Sequence, residues 1–547
     1  MSSQQPVEVV TPTELYHQLI GNQQLALIDV REIRPYSQGH LLFAIPLPLA
    51  RLELMVADLI PCRAAAIVIC DGGSADTDNL HLGMRAARRL AELGYTNIQL
   101  LEDGICGWQA AGYELFEGVN VPSKAFGEFI EEREQTPSIS PQELKAMQDQ
   151  GADMVLLDSR PEEEFQMLSV PGGICCPGGE LAYRVHDIVP SEDTTVVVNC
   201  AGRTRSIIGC QSLINASIPN RVVALRNGVM GWHLAGYQVA HGCTDKVSPP
   251  SPQALQRAQQ SARRLIERFA VQTVSLQTLN QWRTERDTNS LYILDVRTLE
   301  EFEQQRLVDA VHAPGGQLVQ NTDLYVGVRN ARLVLVDSEM VRAVFAASWL
   351  MQMGKDNIFV LEQGWQQSQS ISGEREKPVL GLEQLNCDQI TAADLQSALQ
   401  DSGVQILDVN LSEDYQKGHI EGAWFVPRAR LAMAVKHIPP ADLYVLTSSD
   451  GITASLTAAE LTALTEVPVK VLACGNRGWE AAGNTLVCGQ GNRSLEPDDR
   501  WQIPFLPDPV TGKSAEQNMR EYLSWEVALV EQIQRDGTTN FRHFPED

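Results

Sequence analysis

The residues with the most chemistry in this chain are Cys200-Ala201-Gly202-Arg203-Thr204-Arg205. They sit between an apolar run, Thr195–Asn199, and a helical pattern that starts near Ser206. A cysteine at the point where a buried strand turns into a helix faces loop N–H groups and a helix N-terminus. Both favour the thiolate over the thiol and cradle an anion. The sequence therefore predicts Cys200 as a nucleophile and Ala201, Gly202, Arg203, Thr204, Arg205 and Ser206 as its anion-binding ring. Gly202 is expected to let the loop curl, Thr204 or Ser206 to donate at the helix start, and the two arginines to hold a doubly charged substrate.

Such a loop needs a sheet to present it, and the signals of one recur four times. Helix starts of capping type open each copy: Thr11-Pro12-Thr13-Glu14, Ser140-Pro141-Gln142-Glu143, Ser275-Leu276-Gln277-Thr278 and Thr391-Ala392-Ala393-Asp394. Each leads to a short apolar strand and the endings Asp29-Val30-Arg31, Asp158-Ser159-Arg160, Asp295-Val296-Arg297 and Asp408-Val409-Asn410. A second apolar strand follows at residues 66–70, 196–200, 332–337 and 443–448, then a helix, a third strand and a Gly-Trp corner at Trp108, Trp232, Trp365 and Trp479. Strands alternating with amphipathic helices predict an α/β fold of parallel sheets covered on both faces, with chemistry at the carboxyl ends of the strands. The expected units are residues 1–130, 131–248, 249–380 and 381–494, followed by a C-terminal helical extension over 495–547. Residues 119–136, 241–274 and 370–386 read as linkers, the second carrying a basic amphipathic helix over 254–270. A helix over 515–534 is expected to pack on a neighbouring domain.

This order of signals resembles the rhodanese (sulfurtransferase) family over residues 9–482. The resemblance rests on the Asp-x-Arg strand ends, on Gly418-His419-Ile420-Glu421-Gly422-Ala423, on the Cys200 loop and on the Gly-Trp corners that follow Asn-Gly or Asp-Gly. It implies four tandem rhodanese-like domains, each a parallel sheet flanked by helices on both faces. It also implies ping-pong sulfur transfer, in which Cys200 takes the outer sulfur of an anionic donor such as thiosulfate and sulfite leaves. An acceptor (cyanide, a thiol or a protein) then removes that sulfur from the persulfide. No cofactor or metal is implied.

At the strand end the copies differ. Copy one offers Cys70, with Asp71 and Asp76 nearby; copy three has Asp337 and copy four Ser448. Carboxylates raise a thiol pKa and repel an anion, so one active domain is expected, with Cys200 its persulfide carrier. Two alternatives stand beside this. One is an interaction scaffold or sulfur-carrier partner, suggested by the three degenerate copies. The other is a cysteine-loop phosphatase or arsenate reductase; related phosphatases carry their arginine at the position of Ser206, whereas Arg205 arrives one residue earlier in a tighter ring.

Composition narrows the class. The 547 residues are 44% hydrophobic and 20% charged, with a formal net charge of −26. That excess argues against nucleic acid and anionic membranes as partners. Neither a leader pattern nor a run of about 18 apolar residues is seen, so a cytoplasmic protein is expected. The eleven cysteines show no Cys-x-x-Cys pair. The Asp158/Arg160 pair, His40, His419 and the corner tryptophans read as structural.

Overall fold

Each repeat builds one parallel sheet with the same strand order. In copy one the strands run Glu8–Val10, Ile98–Leu101, Ala66–Cys70, Leu25–Asp29 and Ile45–Pro46 across the sheet. Copy two repeats the order with Ser138–Ile139, Val222–Leu225, Thr195–Asn199, Met154–Asp158 and Gly173–Cys175. Copies three and four follow suit, and Val328–Arg329 of copy three pairs antiparallel with Leu25–Asp29 of copy one, stitching the two together. The computed structural model describes residues 7–75, 81–367, 370–400, 403–508 and 511–544.

Central strands such as Leu25–Asp29 and Leu291–Asp295 are buried along their whole length, as helices on both faces require. The helix starts hold as capping chemistry dictates. Thr11 and Ser140 form reciprocal capping boxes with Glu14 and Glu143, and the side chains of Ser275 and Thr391 accept from the third helical N–H.

The Asp-x-Arg signal is a buried clamp. Arg31, Arg160 and Arg297 each grip their aspartate with two guanidinium nitrogens and also donate to the carbonyls of Gly39, Leu168 and Gln305. Copy four lacks the arginine. Asp408 there accepts from Asn476 Nδ2 at 3.1 Å, and burial pushes its carboxyl up to about 7. His40 and His419 stack on Tyr36 and Tyr415.

Strand register corrects the reading of copy one. Asp29 pairs with Cys70, Asp158 with Asn199, Asp295 with Val336 and Asp408 with Thr447. The residues that follow are Asp71, Cys200, Asp337 and Ser448. Cys70 is thus the counterpart of Asn199 rather than of Cys200, and its side chain belongs to the core of copy one. Asp76 lies outside the described residues.

Two segments beyond the copies carry structure that reaches the Cys200 loop. Residues 119–136 are more than a linker, because Val121–Glu134 is a largely buried helix laid against the loop. A Cβ on Gly127 of this helix would stand 2.7 Å from Thr204 Cγ2. The C-terminal helix, Ala515–Asp536, buries Leu529 and Ile533 with Phe116, Val121 and Ala125, and Met519 and Leu523 with Met230. Its amphipathic pattern is the reason it packs, since a lone helix could not cover that face. Among the described residues no helix is long and apolar enough to cross a membrane.

Candidate active site

Cys200 opens the loop between the strand Thr195–Asn199 and the helix Thr204–Asn215. The loop is held from below by the start of the helix Gly228–Leu234. Val229 N donates to the carbonyl of Cys200 at 2.9 Å and Met230 N to that of Ala201 at 3.0 Å. Asn227 and Gly228 reach this position with φ of 61° and 53°. A Cβ on Gly228 would stand 2.3 Å from the Cys200 carbonyl oxygen, so only glycine fits.

The carbonyls of Cys200 and Ala201 are thus both taken. Among the described residues no acceptor takes the N–H of Ala201, Gly202, Arg203, Thr204 or Arg205. That is a ring of donors suited to an anion. The Cys200 thiol donates to Ser206 Oγ at 3.5 Å, and the Ser206 hydroxyl donates to the carbonyl of Arg203 at 2.8 Å. Gly202 is absent from the left-handed region; its lack of a side chain serves close packing, because a Cβ there would stand 3.1 Å from Glu526 Oε2.

The two arginines are spoken for. Arg203 donates to Glu128, Glu131 and Asn227, which draws its guanidinium toward the helix Val121–Glu134. Arg205 forms a two-pronged pair with Glu164 at 2.7 and 2.8 Å and, against burial, holds that carboxyl below the usual range. Arg205 still acts on the sulfur through space.

The expected low-pKa thiol is not met in this closed arrangement. Cys200 is only 2% exposed. Burial pushes its thiol above the ordinary value, against Arg205 and Ser206, which pull it down; Glu526 adds to the upward push. The cover comes from Tyr522, Leu523 and Glu526 of the C-terminal helix, which meet the loop at Gly202.

The same position in the other copies holds no sulfur. Asp337 accepts from Arg342 N at 2.8 Å and from its guanidinium at 2.9 Å, so a carboxylate fills its own loop. Asp71 accepts from the N–H of Gly73 and of Gly83, each at 3.0 Å. Ser448 Oγ accepts from Ala454 N at 3.3 Å. Of the four equivalent positions, only that of copy two holds a cysteine.

A family model, the Rhodanese-like domain, matches residues 11–111, 140–235, 275–370 and 391–482. The chain belongs to the rhodanese family. Its rhodanese-like repeats, with their sheets and helices, superimpose with a TM-score of 0.94 on the crystal structure of a thiosulfate sulfurtransferase from Pseudomonas aeruginosa. That structure is 43% identical and covers 98% of this chain and 100% of its own. A curated HTH-type transcriptional regulator from Mycobacterium tuberculosis is 31% identical over 93 residues, or 17% of this chain; the chain spans 40% of that relative's length.

The sequence reading missed several groups around the rhodanese loop. Glu164 could have been found, because Glu301 stands at the same place in copy three and pairs with Arg342 as Glu164 pairs with Arg205. Lys124, Glu128, Glu131, Tyr522 and Glu526 lie outside the repeats and carry no local signal.

Proposed function

We propose that this rhodanese-family chain is a sulfurtransferase that carries sulfane sulfur on Cys200. The observation behind this reading is that, of the four equivalent loop starts, only Cys200 presents sulfur to a ring of unsatisfied amides. The similarity to a thiosulfate sulfurtransferase over the whole chain supports it.

In the first half-reaction the Cys200 thiolate attacks the outer sulfur of thiosulfate. A sulfur–sulfur bond forms at Cys200, the bond to the sulfonate group breaks, and sulfite departs with that electron pair. In the second, cyanide or a thiolate attacks the outer persulfide sulfur, and the Cys200 thiolate is returned. The loop N–H groups stabilise the negative charge on the terminal sulfur, and Arg205 lowers the cost of ionising Cys200. Physiological donors are thus small sulfur anions, and acceptors are thiols or protein thiols. Eleven cysteines without a disulfide fit a reducing compartment such as the cytoplasm.

The test is thiosulfate:cyanide turnover in Cys200→Ser. Loss of activity is expected; turnover near that of the natural chain would move the chemistry elsewhere.

A further inference from the structure

The loop of Cys200 is roofed by residues that the four repeats do not supply. Glu526, on the C-terminal helix, is 2% exposed. Its Oε1 accepts from the Tyr522 hydroxyl at 2.9 Å and from Thr204 Oγ1 at 3.5 Å. Its Oε2 is buried and accepts nothing, and it lies against Gly202 of the Cys200 loop, 3.1 Å from where a Cβ there would stand. A buried carboxylate oxygen without a partner is costly, and here it lies beside a loop whose N–H groups also have no acceptor among the described residues.

Charged groups surround that carboxylate. Lys124, 3% exposed, extends its ammonium between Trp501, Tyr522 and Trp525, 4.7–5.0 Å from each ring centre. Burial pushes Glu526 up to about 6; Lys124 and Arg203 pull it down, while Glu128 raises it. Burial likewise lowers Lys124 to about 8, against Glu526 and Asp323, with Arg205 adding to the fall. Lys124 and Arg203 thus oppose the burial that favours the neutral acid, and Glu526 disfavours the Cys200 thiolate.

Copies one and three show the same device in fixed form, where Asp71 and Asp337 occupy their own loops. In copy two the carboxylate arrives on a separate helix, outside the loop itself.

We propose that Glu526 is a specificity-determining residue that stands in for the donor anion over the Cys200 loop, so that a charged donor enters only by displacing it. The proposal rests on Cys200 as the sulfur carrier. It makes Glu526 a charge filter: an anionic reagent meets both the carboxylate and the closed roof, whereas a neutral one meets only the roof.

The experiment compares alkylation of Cys200 by iodoacetate, which is anionic, and by iodoacetamide, which is neutral, with the labelled peptide identified by mass spectrometry. In Glu526→Gln the iodoacetate:iodoacetamide rate ratio is expected to rise about tenfold, and kcat/KM for thiosulfate to rise by a similar factor through a lower KM. Tyr522→Phe, which removes the hydroxyl that holds Glu526 but keeps the ring beside Lys124, is expected to shift both in the same direction by less. An unchanged ratio in both variants overturns the proposal, as does a thiosulfate kcat/KM that falls in both. The alkylation ratio needs no sulfur transfer. Turnover persisting in Cys200→Ser would therefore refute the carrier assignment, whereas a flat ratio would refute the role of Glu526.

Discussion

Copies two and three share a strand order, a buried Asp-Arg clamp and a loop arginine at the same place, yet only copy two opens its loop with a cysteine. In copy three Arg342 is 1% exposed and lies among Asp337, Glu301 and Glu180, the last contributed by copy two. The charge that would serve an anion has been turned into an interdomain lock. In copy two Arg205 is shared between Glu164 and the space around Cys200. The residue that opens the loop differs between the two, Cys200 in copy two and Asp337 in copy three. The carboxylate of Asp337 is bound by its own loop, whereas the thiol of Cys200 leaves the loop N–H groups without an acceptor among the described residues.

The sharpest way to break this comparison is to move the sulfur. In the double variant Cys200→Ser with Asp337→Cys, copy three gains a thiol, but Arg342 remains tied to Glu301 and Glu180 in a sealed site. Thiosulfate:cyanide turnover is expected to stay at least about a thousandfold below that of the natural chain. Recovery would show that sulfur alone makes a loop active.

Next in size is Arg342→Met. It leaves three carboxylates facing one another in a buried interface, and a loss of about 3–5 kcal/mol is expected in urea unfolding. Activity per folded molecule should change little, since Arg342 is not part of the Cys200 loop.

A smaller effect is read from pH. The Cys200 thiol is held above its ordinary value by burial and by Glu526, against Arg205 and Ser206. Its alkylation rate should therefore climb with an inflection above about 8.5, the usual thiol value. Because the folded state holds this proton more tightly, the linked stability is full below the ordinary thiol pKa and is lost as pH rises through the raised one. An inflection below the ordinary value would contradict the closed roof.

The smallest expected change concerns copy four. Asp408, pushed up to about 7, contributes stability that is full below the ordinary carboxylate range and lost as pH rises through about 7. Asn410→Arg supplies the partner that the other three copies have. It is expected to shrink the difference in urea midpoint between about pH 5 and about pH 8, a change on the order of 1 kcal/mol.

Much of this was legible in the letters. The capping residues, the Asp-x-Arg clamps and the Cys200 loop are local signals, and local geometry honours them. Cys70 misled because Ile67, Val68 and Ile69 run into it without a break in the apolar pattern. Only its pairing with Asp29 shows that the strand ends on the cysteine and that Asp71 takes the loop position. The acidity of Cys200 misled for another reason. Gly202 and Arg205 are adjacent in sequence, but the burial that dominates comes partly from a helix whose Glu526 is 322 residues from Thr204. An amphipathic pattern shows that the C-terminal helix must cover something; it does not show what lies under its polar edge.

The central claim is that the Cys200 loop alone takes up sulfur, and intact-mass analysis tests it most directly. After exposure to thiosulfate, the natural chain should gain the mass of one sulfur atom, mapped to the peptide containing Cys200 and discharged by cyanide. A gain mapped to any other cysteine, or no gain on the folded chain, would contradict the account.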